Sequence, residues 1–324
     1  MIVNYPRMRR RVKGWPDDLD TALEFSSANP FSISAPKNWD GKLEYTNGSG
    51  WKMWDGSAIA SGEIENNHYI YLRGTGNSKI TGTTSSSVKW SIIGTNIACN
   101  GDIDLLLDYS TVKNGNRPAM ASYCYSNMFQ GCTSLTATPS LPATTLASYC
   151  YSNMFQGCTS LTAAPSLPAT TLANNCYNSM FQGCTSLTAA PSLPATTLNT
   201  NCYYYMFYGC TSLTTAPSLP ATTLANNCYY SMFQGCTSLT TVPSLPATTL
   251  ANNCYNSMFY LCTKIKLSTT ASGTYTKSYR IPQNGTGTTA SGALVYMFGN
   301  TGGTFNGAPK INTTYYLDES NTIV

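Results

Sequence analysis

Thirteen cysteines and a single histidine bound the chemistry open to this 324-residue chain. Twelve of the cysteines fall in pairs eight residues apart: Cys124 and Cys132, Cys150 and Cys158, Cys176 and Cys184, Cys202 and Cys210, Cys228 and Cys236, Cys254 and Cys262. A C-x7-C spacing is not that of zinc ligands. On one helix such a pair is roughly 12 Å apart, beyond the reach of a disulfide. A metal or redox ladder is therefore set below the plainer reading of small hydrophobes lining a core. Oxidation between neighbouring copies stays open, as does the role of Cys99. His68 lies in an expected strand, and nothing argues for a cysteine or serine partner that would make a nucleophile. Asp102 with Asp104, and Glu63 with Glu65, stand at i, i+2, one face of a strand, where a cation or an acid–base pair would fit. Solvated charges are the preferred reading. Gly74-Thr75-Gly76-Asn77 is too short for a phosphate loop. No enzyme, cofactor or metal is expected.

The cysteines belong to a repeat of 26 residues, and between Tyr123 and Thr263 no side chain is charged. Met154 to Asn175 reads MFQGCTSLTAAPSLPATTLANN, and the other copies depart from it only slightly. A period in this range marks stacked supersecondary units, none of which buries its apolar face alone. In one copy Cys228, Met232 and Cys236 recur at i, i+4, i+8, which places them on one face of an expected helix. Asn227 would cap its start and Gly235 its end. Pro243 and Pro246 then require an extended stretch. Stacking sets Leu135, Leu161, Leu187, Leu213 and Leu239 in one ladder and Phe129, Phe155, Phe181, Phe207, Phe233 and Phe259 in another.

The text MFxGCTSLTxxPxLPATTLAxxCYxxMF resembles the BspA-type leucine-rich repeat, found in bacterial surface proteins and in proteins of phages that infect gut bacteria. Five full copies and a broken sixth carry the resemblance, over residues 124–267. It implies an α/β repeat solenoid of the leucine-rich-repeat type used for adhesion or recognition, and it implies no catalytic residue.

The flanks read differently. Residues 1–20 form a basic arm with Arg7, Arg9, Arg10, Arg11 and Lys13 and no apolar core of a signal peptide. The arm is expected either to be solvated or to dock the protein to a larger assembly. Residues 21–117 are expected to form a small all-β, sandwich-like domain, with strands at Phe31–Ser34, Lys42–Thr46, Trp51–Trp54, Tyr69–Arg73, Val88–Ile93 and Asp104–Leu107. Its tryptophans suit a core, although Trp51 and Trp54 beside the Asn47–Gly50 turn would also suit stacking on a sugar. The repeats occupy 118–267. Residues 268–324 are Gly/Thr-rich and end in a degenerate cap copy, since Met297 to Thr301 echoes the repeat. Net charge is only +4 and the repeats are neutral, so they lack the basic footprint of a nucleic-acid binder. No apolar run is long enough to span a membrane.

Comparing the copies separates core from surface. The third and fourth residues of each copy vary (Ser126-Asn127, Ser152-Asn153, Asn178-Ser179, Tyr204-Tyr205, Tyr230-Ser231, Asn256-Ser257), as does the residue after each Phe (Gln130, Gln156, Gln182, Tyr208, Gln234, Tyr260). Tyr, Asn, Ser and Gln are the palette of antibody loops, and neutral drift on a solvated face is the rival reading. The expected contact stripe is Tyr204, Tyr205, Tyr208, Tyr230 and Tyr260. These features lead to the expectation of a non-enzymatic receptor-binding or adhesion protein on a phage tail or virion surface. It would contact a host surface glycan or protein through the repeats and other virion proteins through the arm, with self-association left open. A BspA-like bacterial surface adhesin is the alternative, and a glycan-active enzyme ranks below both.

Overall fold

The computed structural model describes residues 14–324. The expected docking arm, Arg7, Arg9, Arg10, Arg11 and Lys13, lies outside the described residues. In the amino-terminal region the strands are β1 (Leu23–Ser27), β2 (Ser32–Ser34), β3 (Lys42–Thr46), β4 (Lys52–Met53), β5 (Ile59–Ala60), β6 (Gly62–Ile64), β7 (Asn67–Thr75), β8 (Ser91–Ile93) and β9 (Ile97–Asn100). A helix α1 (Leu105–Lys113), interrupted at Asp108, follows them. Beyond it come β10 (Leu135–Ala137), β11 (Thr241–Val242), β12 (Leu267–Ser268), β13 (Tyr275–Arg280), β14 (Thr314–Asp318) and β15 (Thr322–Ile323). The main sheet runs β10-β9-β1-β7-β3-β4, with β6 also on β7; a second sheet is β5-β2-β8. Alternation explains β1: Leu23, Phe25 and Ser27 are buried, with Leu23 opposite Leu72 and Phe25 opposite Ile70.

The expected α/β repeat solenoid is not what the chain forms. Among the described residues α1 is the only α-helix, and it lies outside the repeats. The strands make up several sheets, most of them small, none of them closed. The expected strand at Asp104–Leu107 is the start of α1.

Within the copies the reason is a backbone period of four, not 3.6. Every fourth residue is left-handed: in the fourth copy Asn201 (φ 55°), Tyr205 (φ 55°) and Gly209 (φ 70°), in the fifth Asn227 (55°), Ser231 (50°) and Gly235 (75°). A left-handed residue ends a right-handed helix, so the chain makes a ribbon of linked turns. Alternate N–H groups close those turns, as in Met206 N to Tyr203 O (3.3 Å) and Tyr208 N to Tyr205 O (3.1 Å). The others cross to the next copy: Asn201, Tyr203, Tyr205, Phe207 and Gly209 donate to Asn226, Cys228, Tyr230, Met232 and Gln234. The same five crossings recur in each of the six copies.

Period four still puts residues i, i+4 and i+8 on one face, so the cysteine, methionine, tyrosine and phenylalanine ladders form. Phe155, Phe181, Phe207 and Phe233 stack at 5.7 Å with planes within 8°. Tyr125 to Tyr255 form a second, buried column at 5.6–5.9 Å. Leu135, Leu161, Leu187, Leu213 and Leu239 are fully buried, each contributing roughly 1.5–3 kcal/mol. All thirteen cysteines are free and buried. The second thiol of a pair donates to the Phe carbonyl of the previous copy, as Cys210 Sγ does to Phe181 O (3.1 Å).

The β-rich region and the ribbon share one core. Trp39 stacks on Trp54, Trp54 meets Trp90 edge-on, and Trp90 meets Phe129, the first ring of the phenylalanine column. Residues 80–97 take the place of a copy before the first: Ile80 N reaches Cys124 O, Trp90 N reaches Met128 O and Ile97 N reaches Ser134 O. At the other end residues 291–301 form a seventh, shortened ribbon that accepts from the sixth, and Tyr279 of β13 meets Phe298, the last ring of the phenylalanine column, edge-on.

Candidate recognition face

The third, fourth and seventh positions of the copies, which vary, lie along one edge of the ribbon, where the backbone bonds are satisfied whatever the side chain. Near the β-rich region this edge is amide-lined. Gln130 Nε2 donates to Gln156 Oε1, and Gln156 Nε2 to Gln182 Oε1 at 2.7 Å. Ser126 and Asn127 are buried there, Asn127 Nδ2 donating to Ser85 O.

In the fourth and fifth copies the edge becomes aromatic. Tyr204 stacks on Tyr230 of the next copy (4.9 Å, 15°), and Tyr205 meets both edge-on at 4.3 and 5.7 Å. Tyr208 packs against Tyr205 at 5.3 Å, not against Tyr204 as a helical i, i+4 spacing would have it. All four rings are half-buried. Burial first, then the neighbouring Tyr205, raises the Tyr204 phenol above its ordinary range. Tyr260, with Gln234 between it and Tyr208 along the edge, stands apart. Its hydroxyl accepts from Asn300 Nδ2 (2.8 Å), and its ring meets Tyr296 edge-on.

Tyr205 carries a conformational cost. It occupies the left-handed position that Asn127, Asn153, Ser179, Ser231 and Ser257 fill in the other copies. A bulky side chain there costs roughly 1–2 kcal/mol, and such outliers cluster where structure serves function. Tyr296, 62% exposed, holds the equivalent place in the shortened seventh ribbon (φ 52°). Sequence reading omitted it, although aligning Met297-Phe298 with Met258-Phe259 puts Tyr296 in register with Ser257. Tyr123 and Tyr149, stacked at 4.7 Å, form a further aromatic pair at the first left-handed position.

The other sequence candidates separate. Trp54 is 3% exposed, inside the tryptophan core, its Nε1 donating to Ser57 O, so it presents no face to a sugar. Trp51 is half-buried beneath Arg73, whose guanidinium lies 3.9 Å from the ring, and its Nε1 donates to Asp18 (2.8 Å). Arg73 also pairs with Asp18 and Glu44. This interlocked cluster takes up the ring face that sugar stacking would need. His68 is half-buried on β7, opposite Ser27 and Glu63, with Nδ1 unbonded. Glu63 and Glu65 are exposed at the β6–β7 turn.

Asp102 and Asp104 are brought together, but not as solvated charges. Asp104 is 2% exposed; Arg117 bonds both carboxylates, and the Tyr125 hydroxyl donates to Asp104 Oδ1 (3.2 Å). Burial, then the Asp102 charge, pushes the Asp104 carboxyl up to about 6. The pair anchors the start of α1 against the first tyrosine of the buried column. No group of three His, Cys, Asp or Glu able to hold a metal occurs among the described residues.

Compared with known protein families, with curated proteins and with solved structures, the chain shows no significant match.

Proposed function

We propose that this chain is a non-enzymatic recognition protein, and that the tyrosine cluster of its fourth and fifth copies is the centre of the contact surface. The observation that carries this is Tyr205, kept as a tyrosine in a left-handed conformation and packed with Tyr204, Tyr208 and Tyr230 on a ribbon without charge. The rings supply area at low side-chain entropy cost, and the Gln, Asn and Ser groups beside them supply adaptable hydrogen bonds. An uncharged partner fits such a surface, and a host surface glycan is the class proposed, with a surface protein as the alternative. The repeat text, through its resemblance to BspA-type proteins, favours a setting on a phage tail or virion surface. A bacterial surface adhesin would use the same face.

The test is binding of labelled protein to a panel of bacterial cells and to an array of bacterial surface glycans. Changing Tyr204, Tyr208 and Tyr230 together to serine should lower binding at least tenfold, because central aromatic residues cost about 2 kcal/mol or more when removed. Melting temperature serves as the control for folding. Undiminished binding by a folded triple variant would refute the proposal.

A further inference from the structure

The crossing hydrogen bonds give the stack of copies a direction. In every copy the five crossing N–H groups point to the copy that follows, and the carbonyls that receive them point back. Each such pair belongs to one peptide group, so five peptide dipoles per copy lie parallel along the stack. In an ordinary sheet these dipoles alternate and largely cancel. Here they add, as along a helix, leaving the last copy electropositive. Of the first copy's back-facing carbonyls, Cys124 O accepts from Ile80 and Thr81 and Met128 O accepts from Trp90.

The last copy is only partly covered. Of its outward N–H groups, Phe298 donates to Gly307 O and Asn300 to Asn306 Oδ1. Those of Gly292, Leu294 and Tyr296 stand in register with Asn253, Tyr255 and Ser257, which all donate onward, yet these three have no acceptor among the described residues. Leu294 is 8% exposed as a whole residue, and the great majority of backbone N–H groups within a fold are paired. Gly292 and Leu294 line an open, shallow recess of about 330 Å³ together with Val295, Pro309, Lys310 and Ile311. Lys310 is the only charged residue of that lining, and no carboxylate among the described residues pairs with it. Three donors without interleaved acceptors, an ammonium and apolar walls define the complement: negative oxygen beside a hydrocarbon group.

We propose that this end of the stack binds the free carboxyl terminus of a partner polypeptide. The carboxylate lies between Lys310 and the nearest of the three N–H groups, the carbonyl two residues earlier meets another, and an apolar last side chain enters the recess. Capture of a terminal carboxylate by a row of backbone N–H groups is an established mode of recognition. The site is separate from the tyrosine cluster and does not depend on it.

The test uses full-length protein labelled with 15N and three probes: N-acetyl-Ala-Ala-Val with a free carboxylate, the same peptide as its carboxamide, and sodium acetate. The free peptide is expected to shift the Gly292, Leu294 and Tyr296 amides and to bind at least tenfold more tightly than the other two. Lys310→Gln should weaken it about tenfold. Ala308→Trp, at an exposed position lining the recess, should abolish binding with the remaining amide spectrum unchanged. The Tyr204, Tyr208 and Tyr230 triple variant should bind the peptide normally. Equal binding of the carboxamide, acetate binding as tight as the peptide, or shifts confined to another surface would overturn the proposal.

Discussion

Replacing Asp104 by asparagine should remove a pH dependence from the stability of this protein, and the sign follows from burial. In the folded chain the Asp104 carboxyl is pushed up to about 6, first by burial and then by Asp102, against 3.8 for an exposed aspartate. The folded state therefore holds a proton that the unfolded chain has already released. The stability linked to that proton is fully present below about pH 4 and is lost as pH rises through about 6. At about 1.4 kcal/mol per pH unit between the two values, the loss comes to about 3 kcal/mol by pH 7.5. The asparagine side chain would keep an oxygen for the Tyr125 hydroxyl and carry no charge to bury. Urea unfolding at pH 4, 5, 6 and 7.5 should then show Asp104→Asn close to the parent at pH 4 and more stable by up to about 3 kcal/mol at pH 7.5. Curves that stay parallel over this range would refute the reasoning. They would mean that Arg117, which bonds Asp102 and Asp104 together, offsets the cost of the buried charge in full.

Two further expectations concern the ladders. Phe207→Ala removes a fully buried ring stacked at 5.7 Å on both sides and should cost about 3–5 kcal/mol in thermal or urea unfolding, whereas Tyr208→Ser on the neighbouring edge should cost less than half as much. Burial pushes the Cys176 and Cys184 thiols up to about 12, so a thiol-specific reagent at pH 8 should label none of the buried cysteines of the native protein and all thirteen after denaturation. Rapid native labelling, or missing thiols in denaturant, would contradict the placement of these side chains.

Much of the amino-terminal region was legible in the sequence because its strands are short, bounded by turn residues and aromatic-rich. Lys42–Thr46 and the run around Tyr69–Arg73 lie where alternation put them. β1 and β9 were not read, since Leu23–Ser27 and Ile97–Asn100 are strands through long-range pairing with each other and with Leu72, Ile70 and the first repeat copy. Asp104–Leu107 has an apolar run that suits either strand or helix. The ring of charges around it decides: Asp102, Asp104 and Arg117 lock the helix start onto Tyr125. Trp54 was offered as a sugar platform because it lies near a turn, yet the contacts that bury it come from Trp39 and Trp90.

The repeat teaches a narrower lesson about period. Cys, Met and Cys at i, i+4, i+8 fit a helix and fit a ribbon of four-residue turns equally well, because both return a side chain to the same face. What separates them is the set of residues able to take a left-handed conformation. Asn227, Ser231 and Gly235 recur at intervals of four, and read singly they resemble a cap, a surface residue and a terminator. Read together they mark three successive left-handed turns, and the N–H groups those turns release must find acceptors in the next copy. That arrangement leaves the side chains at the third, fourth and seventh positions of a copy out of the backbone hydrogen bonding that builds the stack. Replacing Asn-Ser by Tyr-Tyr between the third and fourth copies keeps all five crossing bonds, at the cost of strain at Tyr205 alone. The scaffold thus tolerates changes at the edge where Tyr204, Tyr205, Tyr208 and Tyr230 gather, and these are among the positions at which its otherwise near-identical copies differ.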